Sequence, residues 1–194
     1  MEIGATKAVQ DRLKTTKIEE SKGASLVFCW DTHLTKIKGR NVLFIVNASN
    51  RYTIAMTDIE PRNWNYYAMY IIRVIHGMMQ EMGYSEEQIE QYFKMSGDTT
   101  ITKTHGRKSV GGINRMVMDA QYFGKKLEKE AKYQWELSEY LNRYICQPEG
   151  FDAYGYPSEL FKLDMERLGI ATKRKPAKVI DFAQYIENNR GTNH

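Results

Sequence analysis

Hydrophobic residues are densest between residues 26 and 56, where turn-forming residues divide them into three segments. LVFCW is a compact apolar run, HLTKIKGRNVLFIV turns at Lys-Gly-Arg-Asn, and RYTIAM follows an Asn-Ala-Ser-Asn turn. β-branched and aromatic runs bounded by such turns are typical of strands. The pattern predicts a three-stranded antiparallel meander. Its central strand should be VLFIV, because an apolar run without alternation indicates burial on both faces.

Most of the remaining chain has helical spacing. Residues 62–82 are apolar on most sides, which predicts a largely buried helix against the sheet. Ser85 and Gln88 form a capping-box pattern at the start of a second helix. The remaining expectations are a short helix within 3–13, a strand at 99–103, a helical stretch from about 110 to 145 that breaks near Gly124, and short helices at 158–168 and 178–187.

These elements together predict an α+β fold, with a small antiparallel sheet packed against helices and a helical C-terminal extension. A proline- and glycine-containing connector at 147–157 precedes the last two helices. We expect an α+β domain at 1–125 and a helical region at 126–194.

Composition and the lack of targeting patterns indicate where in the cell the protein is located. The 194 residues are 42% hydrophobic and 27% charged, as in an ordinary globular protein. The N-terminus has no signal-peptide pattern, and no segment has the run of about 20 apolar residues that a membrane span needs. Cys29 and Cys146 lie among apolar neighbours, which favours reduced thiols. We expect a cytoplasmic protein with no membrane partner.

The net charge of +4 is modest, but the cations are clustered. Separated basic clusters on a balanced background indicate an anionic partner, although lysine-rich surfaces also serve solubility alone. The candidate anion- or nucleic-acid-binding residues are Lys38, Arg40, Lys103, Arg107, Lys108, Ser109, Gly111, Gly112, Arg115, Lys173, Arg174 and Lys175.

The segment ITKTHGRKSVGGINR at 101–115 concentrates this chemistry. It is not a phosphate-binding P-loop, because Lys-Ser precedes the glycine pair instead of following it. A helix that begins after Gly111 and Gly112 could bind an anion with its free N–H groups. The same glycines could serve only to turn a strand into a tightly packed helix.

Histidines offer an alternative, catalytic interpretation. His33 and His105 fall at ends of predicted strands, and Lys103 is close to His105 in sequence. Two histidines and a lysine could cleave a phosphodiester without metal, as acid, base and charge stabiliser. No spacing typical of a metal site is present, so we expect neither metal nor cofactor. Tyr154 and Tyr156, in the Gly/Pro-rich connector, are candidate partner-binding residues.

Several segments resemble an uncharacterised bacterial domain family of unknown function over about residues 1–120. The matching segments are ATKAVQDRL, WDTHL, VLFIVNASNRYTIAM, GYSEEQIEQYF and TITKTHGRKSVGGINRMV. The family has Trp-His where this chain has Trp30-Asp31, and the histidine here is displaced to His33. The resemblance implies an α+β fold found in bacteria and their mobile elements, and it implies no activity.

We therefore expect a non-catalytic binding protein of a bacterial or phage mobile element. Its basic loops would engage nucleic acid or a nucleoprotein complex. An anti-defence inhibitor of the anti-CRISPR kind, directed at a bacterial defence nuclease, would suit the size and charge pattern. The alternatives are a metal-independent nuclease or toxin using His33, His105 and Lys103, and a structural protein-interaction module.

Overall fold

The structure is a computed structural model that describes residues 1–13 and 18–172. The predicted helix at 178–187 lies outside these residues. The strands are β1 Glu2–Ala5, β2 Cys29–Ile37, β3 Arg40–Asn47, β4 Thr53–Thr57 and β5 Thr100–Thr102. The helices are α1 Lys7–Leu13, α2 Pro61–Asn65, α3 Tyr67–Glu81, α4 Glu86–Ser96, α5 Gly106–Gln121, α6 Trp135–Asn142 and α7 Pro157–Arg167.

The strands form one mixed sheet in the order β4-β3-β2-β1-β5. Strands β2, β3 and β4 pair antiparallel, as the predicted meander requires. Strand β1 pairs parallel with β2 on one side and with β5 on the other. The α+β class is therefore confirmed, whereas a purely antiparallel sheet is not what the chain forms.

Strand β1 is the source of this difference, since the sequence pattern predicted a short helix within residues 3–13 and no strand there. Only Lys7–Leu13 is a helix. In Glu2–Ala5 the side chains alternate between the two sheet faces, and Ile3 is completely buried beside Trp30 of β2. The hydroxyl of Thr6 donates to the Thr32 carbonyl at 3.0 Å, so it ties the end of β1 to β2.

One face of the sheet is covered by α3, α4 and α7. Residues of this core include Trp30 and Leu43 from the sheet, Ile75 from α3, Tyr92 from α4 and Phe161 from α7. The Trp30 indole N–H donates to the Tyr92 hydroxyl at 2.9 Å, which in turn donates to the Val27 carbonyl at 2.8 Å. Strand β2 and helix α4 are thus joined by two consecutive hydrogen bonds inside an otherwise apolar layer.

The other face is covered by α5 and α6. Val42, Phe44 and Val46 of β3 pack there against Ile113 of α5 and Leu137 of α6. Because Leu43 and Ile45 point to the opposite core, VLFIV is buried on both faces, as its unbroken apolar run predicted. Helices α6 and α7, which belong to the predicted C-terminal region 126–194, therefore pack on opposite faces of the sheet.

The helix boundaries refine the expected ones. The helix expected at 62–82 is interrupted at Tyr66, and the capping box of Ser85 and Gln88 at the start of α4 is confirmed. The long stretch from 110 to 145 is two helices, and α5 ends at Gln121, before Gly124.

Within residues 1–13 and 18–172, none of the helices has the length and apolarity of a membrane span.

Helix α6 protects the edge of the sheet with polar side chains. Gln134, Ser138 and Asn142 recur every four residues and face the outer edge of β4. Ser138 accepts from the Ala55 N–H at 3.0 Å, and Asn142 both accepts from the Thr53 N–H and donates to the Thr53 carbonyl at 2.8 Å. An edge strand would otherwise expose these groups to pairing with another chain.

Replacing Asn142 with alanine should lower the free energy of unfolding by about 1–3 kcal/mol, because it leaves buried Thr53 backbone groups without partners. Urea unfolding followed by circular dichroism measures the change. Asn114→Ala, at an exposed position of α5, is the matched control and should stay within about 0.5 kcal/mol of wild type. Equal stability of the two variants would contradict the role assigned to Asn142.

Candidate functional site

Helix α5 begins at Gly106, one turn earlier than the glycine pair. His105 precedes it as the N-cap residue, and Gly106 has φ of +90°, a backbone conformation that favours glycine. Gly111 and Gly112 consequently lie inside the helix and do not form its entrance. The expected glycine-hinged anion site at the helix start is wrong in this respect.

His105 lies between two carboxylates in the interior. Its Nδ1 is 2.7 Å from Asp31 Oδ1, and its Nε2 is 2.9 Å from Glu2 Oε2. The His105 backbone N–H also donates to Asp31, and so does the hydroxyl of Ser109 in the first turn of α5. The His105 side chain is 3% exposed, and that of Asp31 is completely buried. We call Glu2, Asp31, His105 and Ser109 the buried histidine cluster.

Strand alternation brings this cluster together. Glu2 and Gly4 face α5 because Ile3 faces the opposite core, and they pair in register with Cys29 and Asp31 of β2. Gly4 provides the space for the Asp31 carboxylate, since a Cβ at Gly4 would lie 1.8 Å from Asp31 Oδ1 and 3.1 Å from His105 Nδ1. The parallel β1–β2 pairing is therefore what juxtaposes the acids, and the loop after β5 brings His105 to them.

The charges within the cluster support one another. Burial alone would lower the pKa of His105, but hydrogen bonding and charge from Asp31, together with the neighbouring Cys29, raise it to about 10. Burial likewise opposes ionisation of Glu2, yet hydrogen bonds from Ser21, the Lys22 N–H and His105 hold the pKa of Glu2 below its usual value. The raised pKa of His105 and the lowered pKa of Glu2 favour an imidazolium ring that donates hydrogen bonds to both Asp31 and Glu2.

A loop covers the cluster from the outside. The Ser21 hydroxyl donates to Glu2 Oε2 at 2.6 Å, and the Lys22 N–H donates to Glu2 Oε1 at 2.8 Å. Further along the loop, the carbonyls of Ala24 and Ser25 lie 3.6 and 3.4 Å from the Cys29 sulfur. Cys29 Sγ, a Glu2 oxygen and a His105 nitrogen all lie within 4.8 Å of one another.

The three residues of the catalytic alternative occupy different surroundings. His105 has both ring nitrogens bonded in the interior, whereas Lys103 forms an exposed ion pair with Glu20. His33 Nδ1 lies 3.2 Å from the Thr6 hydroxyl, and burial lowers the pKa of His33. Among the described residues, these three side chains share no hydrogen-bond partner.

Two of the predicted anion-binding cations are engaged with the protein itself. Lys38 donates to the Lys125 carbonyl at 2.7 Å, and Arg40 pairs with Asp58 and donates to the Glu128 carbonyl at 2.7 Å. Both hold the loop that follows α5 against the meander. The basic residues Lys173, Arg174 and Lys175 lie outside the described residues.

Two cations of α5 lie on the side of the helix that contacts Arg51. Gly112 is buried against the Arg51 guanidinium, and a Cβ there would lie 2.6 Å from Arg51 Nη2. Lys108 and Arg115 stand one turn to either side of Gly112 on the same side of the helix. Arg51 itself has φ of +63°, an uncommon conformation for a non-glycine residue. We call Arg51, Arg107, Lys108 and Arg115 the α5 basic flank.

Arg51 and Arg107 differ from two nearby arginines in having no carboxylate partner among the described residues. Arg115 pairs with Asp119, and Arg167 pairs with Asp164. Within the described chain, half-buried Arg51 and exposed Arg107 form no ion pair. Arg51 and Lys108 line one shallow recess together with Ser109 and Glu149. The Lys108 ammonium reaches the Pro148 carbonyl at 3.3 Å on its rim.

Exposed tyrosines occur both near this flank and beyond it. Tyr122 is the C-cap residue of α5, two turns after Arg115, and is 79% exposed. The predicted partner-binding residues Tyr154 and Tyr156 are exposed too, and Tyr156 caps α7. Helical spacing places Lys108, Gly111, Arg115 and Tyr122 along one side of α5.

The sequence patterns did not reveal the roles of four residues. These are Glu2 and Asp31 in the buried histidine cluster, Arg51 at the centre of the α5 basic flank, and Tyr122 beside that flank. Glu2 and Asp31 could have been found from one signal, because an acidic residue inside an apolar strand requires a buried partner. Their pairing with His105 depends on a parallel register that no local pattern reveals. Arg51 follows a turn, where nothing in the sequence indicates a contact with a helix 60 positions later.

Comparison with known families places the chain in one of them. The chain belongs to a family described as a domain of unknown function (DUF6933), whose model matches residues 2–160. The match extends past the expected limit of about residue 120, and it includes α6 and the beginning of α7. No curated protein and no solved structure matches the chain.

Replacing Gly4 with alanine should cost about 3 kcal/mol or more of unfolding free energy, because the new methyl group overlaps the Asp31 carboxylate and disrupts its buried hydrogen bonds. Thermal and urea unfolding measure the loss. Gly77→Ala, at a helical glycine with no atom near its Cβ position, should instead be neutral or stabilising by up to about 1 kcal/mol. A Gly4→Ala protein of wild-type stability would contradict the proposed packing.

Proposed function

We propose that this protein is a binding protein for single-stranded nucleic acid, free or within a nucleoprotein complex, and that the α5 basic flank is its contact surface. The observation that carries the proposal is Arg51. Its guanidinium is half-buried on Gly112, flanked by Lys108 and Arg115, and it lacks an ion-pair partner among the described residues. Guanidinium groups bind phosphate with paired N–H donors.

The spacing of the flank suits a polymer better than a small anion. Lys108 and Arg115 are seven positions apart on α5, which corresponds to about 10 Å along a helix axis. Cations distributed over that length could contact successive phosphates of one strand. Arg107 lies exposed at the same end of the helix as Lys108.

Tyr122 favours an unpaired strand over a duplex. Its ring is largely exposed at the end of the cationic row. Aromatic side chains beside a basic track are the usual means of stacking unpaired bases, and each such contact contributes about 1–3 kcal/mol. The stacking is tolerant of sequence, so the proposal predicts little base preference.

The wider biological proposal follows from this surface. A nucleoprotein complex of a bacterial defence nuclease presents both nucleic acid and protein, and an inhibitor carried by a phage or another mobile element would bind there through the same cations. The test is a pull-down from bacterial lysate with and without nuclease treatment. Partners that are lost after the treatment, and also lost from an Arg51→Ala protein, support recognition through nucleic acid.

The direct test is fluorescence anisotropy with labelled oligo-U and oligo-dT strands at several salt concentrations. Wild-type affinity should fall as salt rises, and Arg51→Ala should weaken binding and reduce the slope of log K against log salt by about 1. Gly112→Ala should also weaken binding, because its methyl group displaces the guanidinium while the charge stays. Tyr122→Ala should cost about 1–3 kcal/mol of binding free energy.

Two matched variants control for net charge and for loss of an exposed ring. Arg73→Ala removes an exposed arginine from α3, and Tyr66→Ala removes an exposed tyrosine beside it. Both positions belong to the opposite side of the sheet, so binding should not change. Affinity that is insensitive to salt, or that falls equally in Arg73→Ala and Arg51→Ala, would contradict the proposed surface.

A further inference from the structure

The buried histidine cluster and the adjacent Cys29 offer a set of potential metal ligands. Glu2, Cys29 and His105 each offer one ligand atom, and these three atoms lie within 4.8 Å of one another. We propose that these residues bind one zinc ion, which cross-links β1, β2 and the start of α5. This site is separate from the α5 basic flank and does not depend on the function proposed for it.

The donor set fits zinc among the common divalent ions. Zinc accepts mixed sulfur, nitrogen and oxygen ligands, whereas magnesium and calcium prefer oxygen alone. Ligand atoms around a tetrahedral zinc ion lie roughly 3.3–3.8 Å apart at the usual bond lengths. His105 Nε2 and Glu2 Oε2, now 2.9 Å apart, therefore need to separate by less than about 1 Å to admit the ion.

His105 is oriented by a carboxylate in the way that metal-binding histidines commonly are. Its Nδ1 faces Asp31 Oδ1 at 2.7 Å, and Asp31 is fixed in turn by Ser109 and by the His105 N–H. Histidines that bind metal commonly donate their second ring N–H to a carboxylate, which orients the ring and increases its basicity. Asp31 would thus be a positioning residue that does not itself contact the ion.

Charge balance also permits zinc binding. Zinc binds the deprotonated forms of its ligands, so any protons on His105 Nε2, Glu2 and Cys29 pass to solvent when the ion enters. In the complex, the Glu2 carboxylate and the Cys29 thiolate together balance the two positive charges of Zn²⁺. The ion therefore adds no uncompensated charge to the interior.

The loop of residues 21–25, which covers the cluster, is the route by which a zinc ion would reach its ligands. Ser21 and Lys22 bond to Glu2, and the carbonyls of Ala24 and Ser25 face the Cys29 sulfur. Those bonds engage the same side chains that would bind the ion. Opening of residues 21–25 would expose all three ligands together, while the strands beneath keep their pairing. Three protein ligands leave one tetrahedral position for a water molecule.

The experiment is cobalt and zinc binding to the chelator-stripped full chain. Zinc should bind with a stoichiometry of one per chain and raise the melting temperature. Cobalt should produce the near-ultraviolet charge-transfer band of a thiolate ligand, together with visible bands of tetrahedral intensity. The chain has two cysteines, so Cys146→Ser leaves Cys29 as the sole thiol and should keep the charge-transfer band.

Two variants remove ligands while conserving shape. Cys29→Ser should abolish the charge-transfer band, and Glu2→Gln should weaken zinc binding at least tenfold while retaining a hydrogen-bonding side chain beside His105. Circular dichroism in chelator confirms that each variant folds. The absence of a charge-transfer band from the Cys146→Ser protein overturns the proposal. So does zinc binding of equal affinity in wild type and Glu2→Gln, which would identify an adventitious ion only.

Discussion

The position of His105 between Asp31 and Glu2 is the constraint on which the rest of this structure depends. These residues belong to the loop before α5 and to two parallel strands whose pairing spans a crossover of the chain. Charged groups in the interior persist only when they are paired and hydrogen-bonded. The cluster satisfies this requirement with both ring nitrogens, the His105 N–H and the Ser109 hydroxyl. It therefore determines where α5 starts and which side of that helix faces the sheet.

The surface chemistry follows from that anchoring. With Ser109 held by Asp31, the apolar residues of α5 face the core that Val46 and Phe44 provide. Lys108, Gly112 and Arg115 are then turned toward Arg51, and Tyr122 emerges at the far end. An interior polar cluster and an exterior cationic surface are thus consequences of one helix placement. Helix α6 completes the same layer by bonding the edge of β4 through Asn142 and Ser138.

Sequence patterns predicted those parts of the fold whose signals are local. The meander, the doubly buried VLFIV strand and the Ser85 capping box each depend on residues that are close in the chain. Strand β1 was missed because four residues paired in parallel with a strand 27 positions later carry no local periodicity. The histidine cluster escaped for the same reason. His105 was singled out as a possible base, but only the sheet register shows that Glu2 and Asp31 bond both of its nitrogens. The basic composition of α5 was evident, whereas its organisation around Arg51 required the tertiary contact with Gly112.

The claim that a doubly protonated His105 ring bridges Asp31 and Glu2 is tested most directly by long-range ¹H–¹⁵N correlation NMR. The experiment uses chelator-treated protein at pH 8, and His105→Gln serves to assign the signals. Both ring nitrogens should carry protons, because partners in the interior raise the pKa of His105 to about 10. Both protons should also exchange slowly with solvent, since the side chain is buried. A neutral ring with one protonated nitrogen, titrating near the ordinary value of about 6.5, would contradict that claim. In that case the buried histidine cluster would not fix the position of α5, and the placement of the α5 basic flank would need another explanation.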